Sequence, residues 1–89
     1  MPNPTAGDPV ERVILTLLND RGPGKSICPS DAARCCAAST GHPAEWRQYL
    51  QPVRDAAARL ASAGALIVTQ GDHAIDIASA KGPIRFRKP

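Results

Sequence analysis

The stretch EWRQYLQPVRDAAARL, residues 45 to 60, combines a helical repeat of apolar residues with an internal proline. At about 100° per residue, its apolar residues share one face and its polar residues the opposite face. The apolar face carries Trp46, Tyr49, Leu50, Val53, Ala57 and Leu60. Pro52 lacks an N–H and its ring conflicts with the carbonyl of Gln48, so we expect a kink or a fresh helix start there. The third helix of the chain is predicted over residues 43 to 63, ending at Gly64.

Two shorter helices are predicted ahead of this one. Asp8 is suited to cap a helix over residues 9 to 20, in which Pro9 takes the first position. Pro29 begins a second helix over residues 29 to 38, with a carboxylate in its first turn. The segment KSI between them leaves room for one short strand.

Beyond Gly64 the pattern becomes strand-like. ALIVTQ is a β-branched run, GDH is typical of a turn and AIDI alternates, which together predict a hairpin. In IRFR, Ile84 and Phe86 are predicted to point inward and Arg85 and Arg87 outward, so a third strand joins the hairpin. The order of elements is that of a winged helix-turn-helix domain of the α+β class: three helices plus a small antiparallel β-sheet wing.

Length and composition fit one small domain. Of 89 residues, 43% are hydrophobic but only 3% aromatic, so the core must be built from closely packed aliphatic residues and alanine. Residues 1 to 7 are predicted to form a disordered tail ahead of a domain over residues 8 to 87. No run approaches the about 20 apolar residues of a membrane span, and the start lacks the pattern of a signal peptide. We therefore expect a cytoplasmic protein that does not contact membranes.

The sequence offers no coherent set of catalytic or metal-binding residues. Cys28, Cys35 and Cys36 are odd in number, so we expect reduced thiols that are buried as small hydrophobic groups. No CxxC spacing occurs and the two histidines lie far apart, which disfavours zinc. GPGKS resembles the end of a nucleotide-binding loop, but a helix precedes it and Asn19 stands where the first glycine belongs. We predict a protein that is not an enzyme, with no metal and no cofactor.

Three stretches carry a resemblance to a known family. They are RGPGKSICPSDAAR, WRQYLQPVRDAAARLASAGALIVTQ and AKGPIRFR, and the match covers nearly all of residues 9 to 87. The chain is similar to a bacterial family of short proteins that is catalogued as domain of unknown function 3253 and regarded as winged-helix-like. The resemblance implies a winged-helix fold, and it implies no particular ligand, activity or binding residue.

The charge pattern supplies candidates for contact with nucleic acid. The net charge of +3 and the pI of about 9.1 barely reach the basicity of a nucleic-acid-binding domain. The second helix of a helix-turn-helix motif enters the major groove, where arginine reads guanine and glutamine reads adenine. Here that helix is the third, and its base-edge candidates are Arg47, Gln48, Gln51 and Arg54, the two arginines being one heptad apart. The phosphate candidates are Arg21, Lys25, Lys81, Arg85, Arg87 and Lys88.

The predicted function is binding of double-stranded DNA, with transcriptional regulation as one use of it. Two alternatives stay open. The polar face of the third helix could simply be solvated, with Asp55 paired to Arg59, since exposed charged faces are common. Alternatively, the domain is a protein-protein interaction module on a winged-helix scaffold without DNA binding. A monomer is the default expectation, because no element is left over for a dimer interface.

Overall fold

A computed structural model describes residues 8–71 and 73–89, and within these ranges the chain forms three α-helices, two 3₁₀ segments and a four-stranded sheet. The elements are α1 (Pro9–Arg21), β1 (Ser26–Ile27), α2 (Pro29–Ser39), a first 3₁₀ segment (Pro43–Tyr49), α3 (Leu50–Ser62), β2 (Ile67–Gln70), β3 (His73–Ala74), a second 3₁₀ segment (Ile77–Ser79) and β4 (Arg85–Arg87). This is the predicted α+β class in a winged-helix-like arrangement. The predicted tail, residues 1 to 7, and Asp72 of the predicted turn lie outside the described residues.

Local hydrogen bonds start α1 and α2 where the sequence predicts. Asp8 Oδ1 accepts from the backbone N–H of Val10 at 2.8 Å and of Glu11 at 3.1 Å. At the start of α2, the backbone N–H of Cys28 donates to Asp31 Oδ2 at 3.0 Å. Such bonds satisfy amides that the first turn of a helix leaves unpaired. Both helices consequently match their predicted bounds to within one residue.

The predicted third helix is two elements rather than one. Pro43–Tyr49 is a 3₁₀ segment in which Glu45 has non-helical angles, φ −98° and ψ 21°, and α3 begins only at Leu50. Pro52 therefore lies in the first turn of α3, where its missing N–H costs no helical hydrogen bond. The expected fresh start near Pro52 is confirmed, whereas a single helix over residues 43 to 63 is wrong.

The last strand, β4, lies inside the sheet. The strand order is β1-β4-β2-β3, and each neighbouring pair is antiparallel. Phe86 is the register partner of Ile27 in β1 and of Val68 in β2, and all three side chains are buried. Arg85 and Arg87 are exposed, which confirms the predicted alternation along this strand.

The second hairpin strand is shorter than AIDI predicts. After β3, one more bond, from the Ile75 N–H to the Val68 carbonyl at 2.9 Å, extends the pairing with β2. Asp76 Oδ1 then accepts from the Ala78 N–H at 3.0 Å and caps the second 3₁₀ segment. An aspartate that captures a nearby backbone amide favours a turn over a continuing strand.

One core joins the helices to the sheet. The large apolar side chains that are fully buried are Phe86, Ile14, Leu18, Ile27, Leu60 and Val53. Buried alanines of α2 and α3 fill the space between them; these are Ala32, Ala33, Ala37, Ala56 and Ala57. Alanine lets helices approach closely, which is how a chain with few aromatic residues reaches the packing density of a folded domain.

A buried carboxylate ties α1 to α3. Glu11 is 2% exposed, and its Oε2 accepts from Arg59 Nε at 3.4 Å, while Arg59 Nη2 donates to Asp8 Oδ2 at 2.7 Å. The other oxygen, Glu11 Oε1, has no hydrogen-bond partner within the described residues. Arg59 thus turns to α1 and does not form the alternative pair with Asp55, which accepts from Gln51.

The two carboxyl groups of this contact titrate in opposite directions. Burial and then the neighbouring Asp8 raise the pKa of Glu11 above its ordinary value, against the influence of Arg59. Burial also acts to raise the pKa of Asp8, but hydrogen bonds from Glu11 and Val10 and the charge of Arg59 lower it overall. Stability from Glu11 is therefore complete below its unfolded pKa and is lost as pH rises through its raised folded value. Stability from Asp8 is present above its unfolded pKa and is lost as pH falls through its lowered folded value.

Replacing Arg59 by alanine should lower the free energy of unfolding at neutral pH by about 1–2 kcal/mol, because buried Glu11 loses a hydrogen-bonding cation. The loss is modest because Arg59 is itself 49% exposed and screened by water. The deficit should shrink as pH falls, first as Glu11 with its raised pKa becomes protonated and then as Asp8 with its lowered pKa does. Urea unfolding, followed by circular dichroism at several pH values, measures this loss of stability. The control is Arg12→Ala, which replaces an exposed arginine of α1. A deficit that is constant with pH would contradict this account.

Candidate nucleic-acid interface

The four base-edge candidates are divided between two elements. Arg47 and Gln48 lie on the first 3₁₀ segment, whereas Gln51 and Arg54 lie on α3. A 3₁₀ helix turns in about 3.0 residues and an α-helix in about 3.6, so heptad spacing does not align side chains across this junction. Arg47, Gln48 and Gln51 are exposed, and Arg54 is half-buried. The structure therefore does not present these residues as one stripe on one helix.

On α3 itself, the most exposed side carries a hydrogen-bonded pair. Gln51 Nε2 donates to Asp55 Oδ1 at 2.9 Å, and both residues lie opposite the buried Val53 and Leu60. At about 100° per residue, Arg54 falls on the flank between the buried and exposed sides. Base contact by Gln51 would therefore require it to exchange its bond with Asp55 for one with DNA.

Arg47 belongs to a cluster that joins α2 to the first 3₁₀ segment. Its Cζ lies 4.6 Å from the centroid of the Trp46 ring, and Arg34 Cζ lies 4.5 Å from the same centroid. Both distances are typical of cation–π contacts. Trp46 packs against the core but is only half-buried, so part of its ring is exposed. We term Arg34, Trp46 and Arg47 the tryptophan cluster.

A second group of cations surrounds Ser26 at the edge of the sheet. Arg85 Nε donates to Ser26 Oγ at 2.6 Å and Arg85 Nη2 to the Ser26 carbonyl at 3.0 Å. Arg21 Nη1 donates to the same carbonyl at 3.3 Å. Arg87 is the register partner of Ser26, and Lys25 precedes Ser26 in the chain; both cations are exposed. We term Arg21, Lys25, Arg85 and Arg87 the sheet cluster.

The outer face of the sheet forms a polar recess of about 330 Å³ beside this cluster. It is lined by Gly24, Ser26, Thr69, Gly71, Arg85 and Arg87. The recess therefore brings two guanidinium groups and two hydroxyl groups to one surface. These are hydrogen-bond donors of the kind that bind phosphate oxygens.

Asp31 is a carboxylate that faces the sheet cluster, with its Oδ2 3.8 Å from Arg21 Nη2. Burial acts to raise the pKa of Asp31, but hydrogen bonds from Cys28 and then the charges of Arg21 and Arg85 lower it overall. Asp31 is therefore ionised at neutral pH and offsets one of the four positive charges around it.

The other two phosphate candidates lie apart from the sheet cluster. Lys88 is half-buried, and its Nζ donates to Asn19 Oδ1 of α1 at 3.3 Å. Lys81 is exposed in the loop before β4, and its backbone carbonyl accepts from Gln70 Nε2. Of the six phosphate candidates, the structure brings together Arg21, Lys25, Arg85 and Arg87.

Helix α2 connects the two clusters. Asp31 and Arg34 are separated by three residues, which is about 4.5 Å along the helix axis. Asp31 lies beside Arg21, and Arg34 lies over Trp46, so cationic groups extend from the first 3₁₀ segment across α2 to β4. Arg34 is not among the residues that the sequence predicts to contact DNA, because α2 is not the helix that a helix-turn-helix protein inserts into the groove.

An apolar groove of about 430 Å³ lies elsewhere, between α3 and the second 3₁₀ segment. Its lining residues are Ala58, Ala61, Ser62, Ile75, Asp76, Ile77 and Ala78. Ile75 and Ile77 are only half-buried, so this groove exposes apolar surface of the kind that protein-binding sites use.

The cysteines differ in their surroundings. Cys36 is buried, and burial raises the pKa of its thiol, as expected for a small hydrophobic group. Cys28 is half-buried and Cys35 is exposed, so the expectation of burial is wrong for these two. Among residues 8–71 and 73–89, no group of three histidine, cysteine or acidic side chains is placed to hold a metal ion. No helix in the same ranges has the length and apolar character to cross a membrane.

Comparison with known proteins agrees with the resemblance seen in the sequence. No curated protein matches this chain significantly. A family model does match, over residues 7–89, and its description is "Protein of unknown function (DUF3253)". The match includes all the helices and strands described above. The chain therefore belongs to the DUF3253 family.

Proposed function

We propose that this protein binds double-stranded DNA, as a winged-helix domain with a role in transcriptional regulation. The observation that supports this most directly is the sheet cluster, where four cations share one surface and, among residues 8–71 and 73–89, Asp31 is the one carboxylate that pairs with any of them. Duplex DNA carries a dense line of negative charge, and proteins that bind it neutralise phosphates with arginine and lysine. A modest net charge of +3 is compatible with this, because the cations are concentrated.

Within the sheet cluster, the cationic side chains differ in how firmly hydrogen bonds hold them. Arg85 is held by two hydrogen bonds to Ser26, so little side-chain entropy remains to be lost on binding. Arg87 and Lys25 are exposed and extend the cationic surface beyond it. In this proposal the sheet cluster contacts phosphates and sets the position of the protein, while Gln51 and Arg54 of α3 reach base edges.

A second candidate function is a protein-protein interaction module that does not bind DNA. The apolar groove beside α3 favours it, because Ile75 and Ile77 expose apolar surface there. The two functions differ in their response to salt. Binding to phosphates weakens steeply as salt rises, whereas association through apolar surface tolerates salt.

Arg87→Ala should weaken binding to a random-sequence duplex and reduce the slope of log affinity against log salt by about 1, since one phosphate contact is lost. Fluorescence anisotropy of a labelled duplex at several salt concentrations measures both quantities. Arg12→Ala removes the same charge from α1, outside both clusters, and should keep the wild-type slope. Equal effects of the two variants would show that only net charge matters and that the sheet cluster is not the contact surface.

Asp31→Asn should change stability and DNA affinity in opposite directions. It removes the carboxylate that accepts from the Cys28 N–H, so the free energy of unfolding should fall by about 1 kcal/mol. Because the folded pKa of Asp31 is lowered, the wild-type advantage is present above the unfolded pKa and lost as pH falls through the folded value. DNA affinity at neutral pH should rise, because one negative charge leaves the sheet cluster. Thermal unfolding and anisotropy on the same samples test both signs; weaker binding by a folded variant would contradict the assignment.

Gln51→Ala and Arg54→Ala should reduce discrimination between DNA sequences. Each bidentate base contact provides about 1–3 kcal/mol of preference, and Gln51 carries no charge, so its loss should leave the salt slope unchanged. A selection from a randomised duplex library, repeated with each variant, measures the preference. Retention of the full wild-type preference by both variants would exclude α3 as the source of base contacts.

A further inference from the structure

The tryptophan cluster holds two positive charges against one ring. Neither Arg34 nor Arg47 has a carboxylate within salt-bridge distance among the described residues, whereas Arg21 pairs with Asp31 and Arg59 pairs with both Asp8 and Glu11. The guanidinium carbons lie 4.5 Å and 4.6 Å from the centroid of the same ring, so two positive charges share one aromatic side chain. A cation–π contact uses the face of a guanidinium group and leaves its N–H groups available to donate to an anion.

The chemistry of the two side chains matches a phosphate group. Guanidinium presents a planar fork of N–H donors that binds phosphate oxygens in pairs, and it can stack on an aromatic ring at the same time. Trp46 therefore can restrict both side chains without using their donors. Restricting an arginine before binding reduces the entropy that binding would otherwise cost.

The position of the cluster favours a polyanion over an isolated phosphate. Arg34 lies one turn of α2 beyond Asp31, which itself faces Arg21 and Arg85 of the sheet cluster. The same anionic chain could therefore contact both clusters along one side of the protein. Such continuity fits the repeated phosphates of a nucleic acid backbone.

We propose that the tryptophan cluster is a second phosphate-contact site for duplex DNA, with Arg34 and Arg47 as the phosphate ligands and Trp46 as their positioning residue. This inference rests on the proposed function. It adds Arg34 as a binding residue and assigns Arg47 to the DNA backbone rather than to base edges. It also assigns Trp46 a role other than base stacking, since guanidinium groups already lie over its ring.

The test compares Arg34→Ala, Arg34→Lys and the control Arg12→Ala by anisotropy with a labelled random-sequence duplex at several salt concentrations. Arg34→Ala should weaken binding about threefold to tenfold and reduce the salt slope by about 1. Arg34→Lys keeps the charge but loses the planar stacking, so it should keep the slope and recover only part of the affinity. Arg12→Ala should keep the wild-type slope. Thermal unfolding should be the same for all, because Arg34 and Arg12 are both exposed.

Two further measurements test the role of Trp46 and show whether the bound anion is DNA or an acidic protein. Trp46 is the one tryptophan of the chain, so its fluorescence reports on this cluster, and its emission should change when duplex is added to the wild type and to Arg12→Ala. Trp46→Phe preserves an aromatic ring of lower cation–π strength, so it should retain the salt slope with reduced affinity.

A labelled polyglutamate peptide serves as the probe for an acidic protein partner.

The outcomes distinguish this inference from the proposed function. If Arg34→Ala binds duplex with wild-type affinity and slope while Arg87→Ala is impaired, the tryptophan cluster is not a contact site and DNA binding through the sheet cluster stands. If the folded wild type does not bind duplex at low salt, both proposals are wrong. If Arg34→Ala weakens binding to polyglutamate but not to duplex, the cluster is a site for acidic proteins and the inference is overturned.

Discussion

The burial of Phe86 between Ile27 and Val68 is the contact on which this arrangement depends. It places β4, near the end of the chain, between β1 and β2, which come from separate earlier parts of the chain. Side chains alternate along a strand, so burying Phe86 directs Arg85 and Arg87 to the outer face of the sheet. The cationic surface beside Ser26 is thus a consequence of how the core packs.

The packing also separates arginines that pair with carboxylates from arginines that do not. Arg59 is drawn to α1, where Asp8 and buried Glu11 share its charge, while Arg34 and Arg47 lie over Trp46 at the edge of the core. A net charge of +3 would spread thinly over a domain of this size if it were uniform. Because Asp8 and Glu11 pair with Arg59, these two carboxylates do not offset the cations near α2 and β4.

Short-range patterns in the sequence predicted several elements and failed on others for definable reasons. Asp8 and Pro29 mark helix starts through bonds and angles that involve only adjacent residues, and both starts are confirmed. The prediction of a continuous third helix was wrong because a segment of only seven residues gives a similar apolar pattern whether it is a 3₁₀ helix or an α-helix. AIDI alternates like a strand, but the bond from the Ala78 N–H to Asp76 turns the chain at that point.

Helix starts, strand alternation and the α+β class follow from the amino-acid order, because the interactions behind them lie within a few residues. The candidate site does not, since its contacts join distant positions, as Arg85 and Ser26, which are 59 residues apart, show. The contact between α1 and α3 likewise joins Arg59 to Glu11 across 48 residues. Arg34, Arg54 and Arg59 are all arginines on helices in the sequence. In the structure, Arg34 stacks on Trp46, Arg54 lies on a flank of α3 and Arg59 pairs with Glu11. These different positions depend on how the helices pack, which the local sequence pattern does not determine.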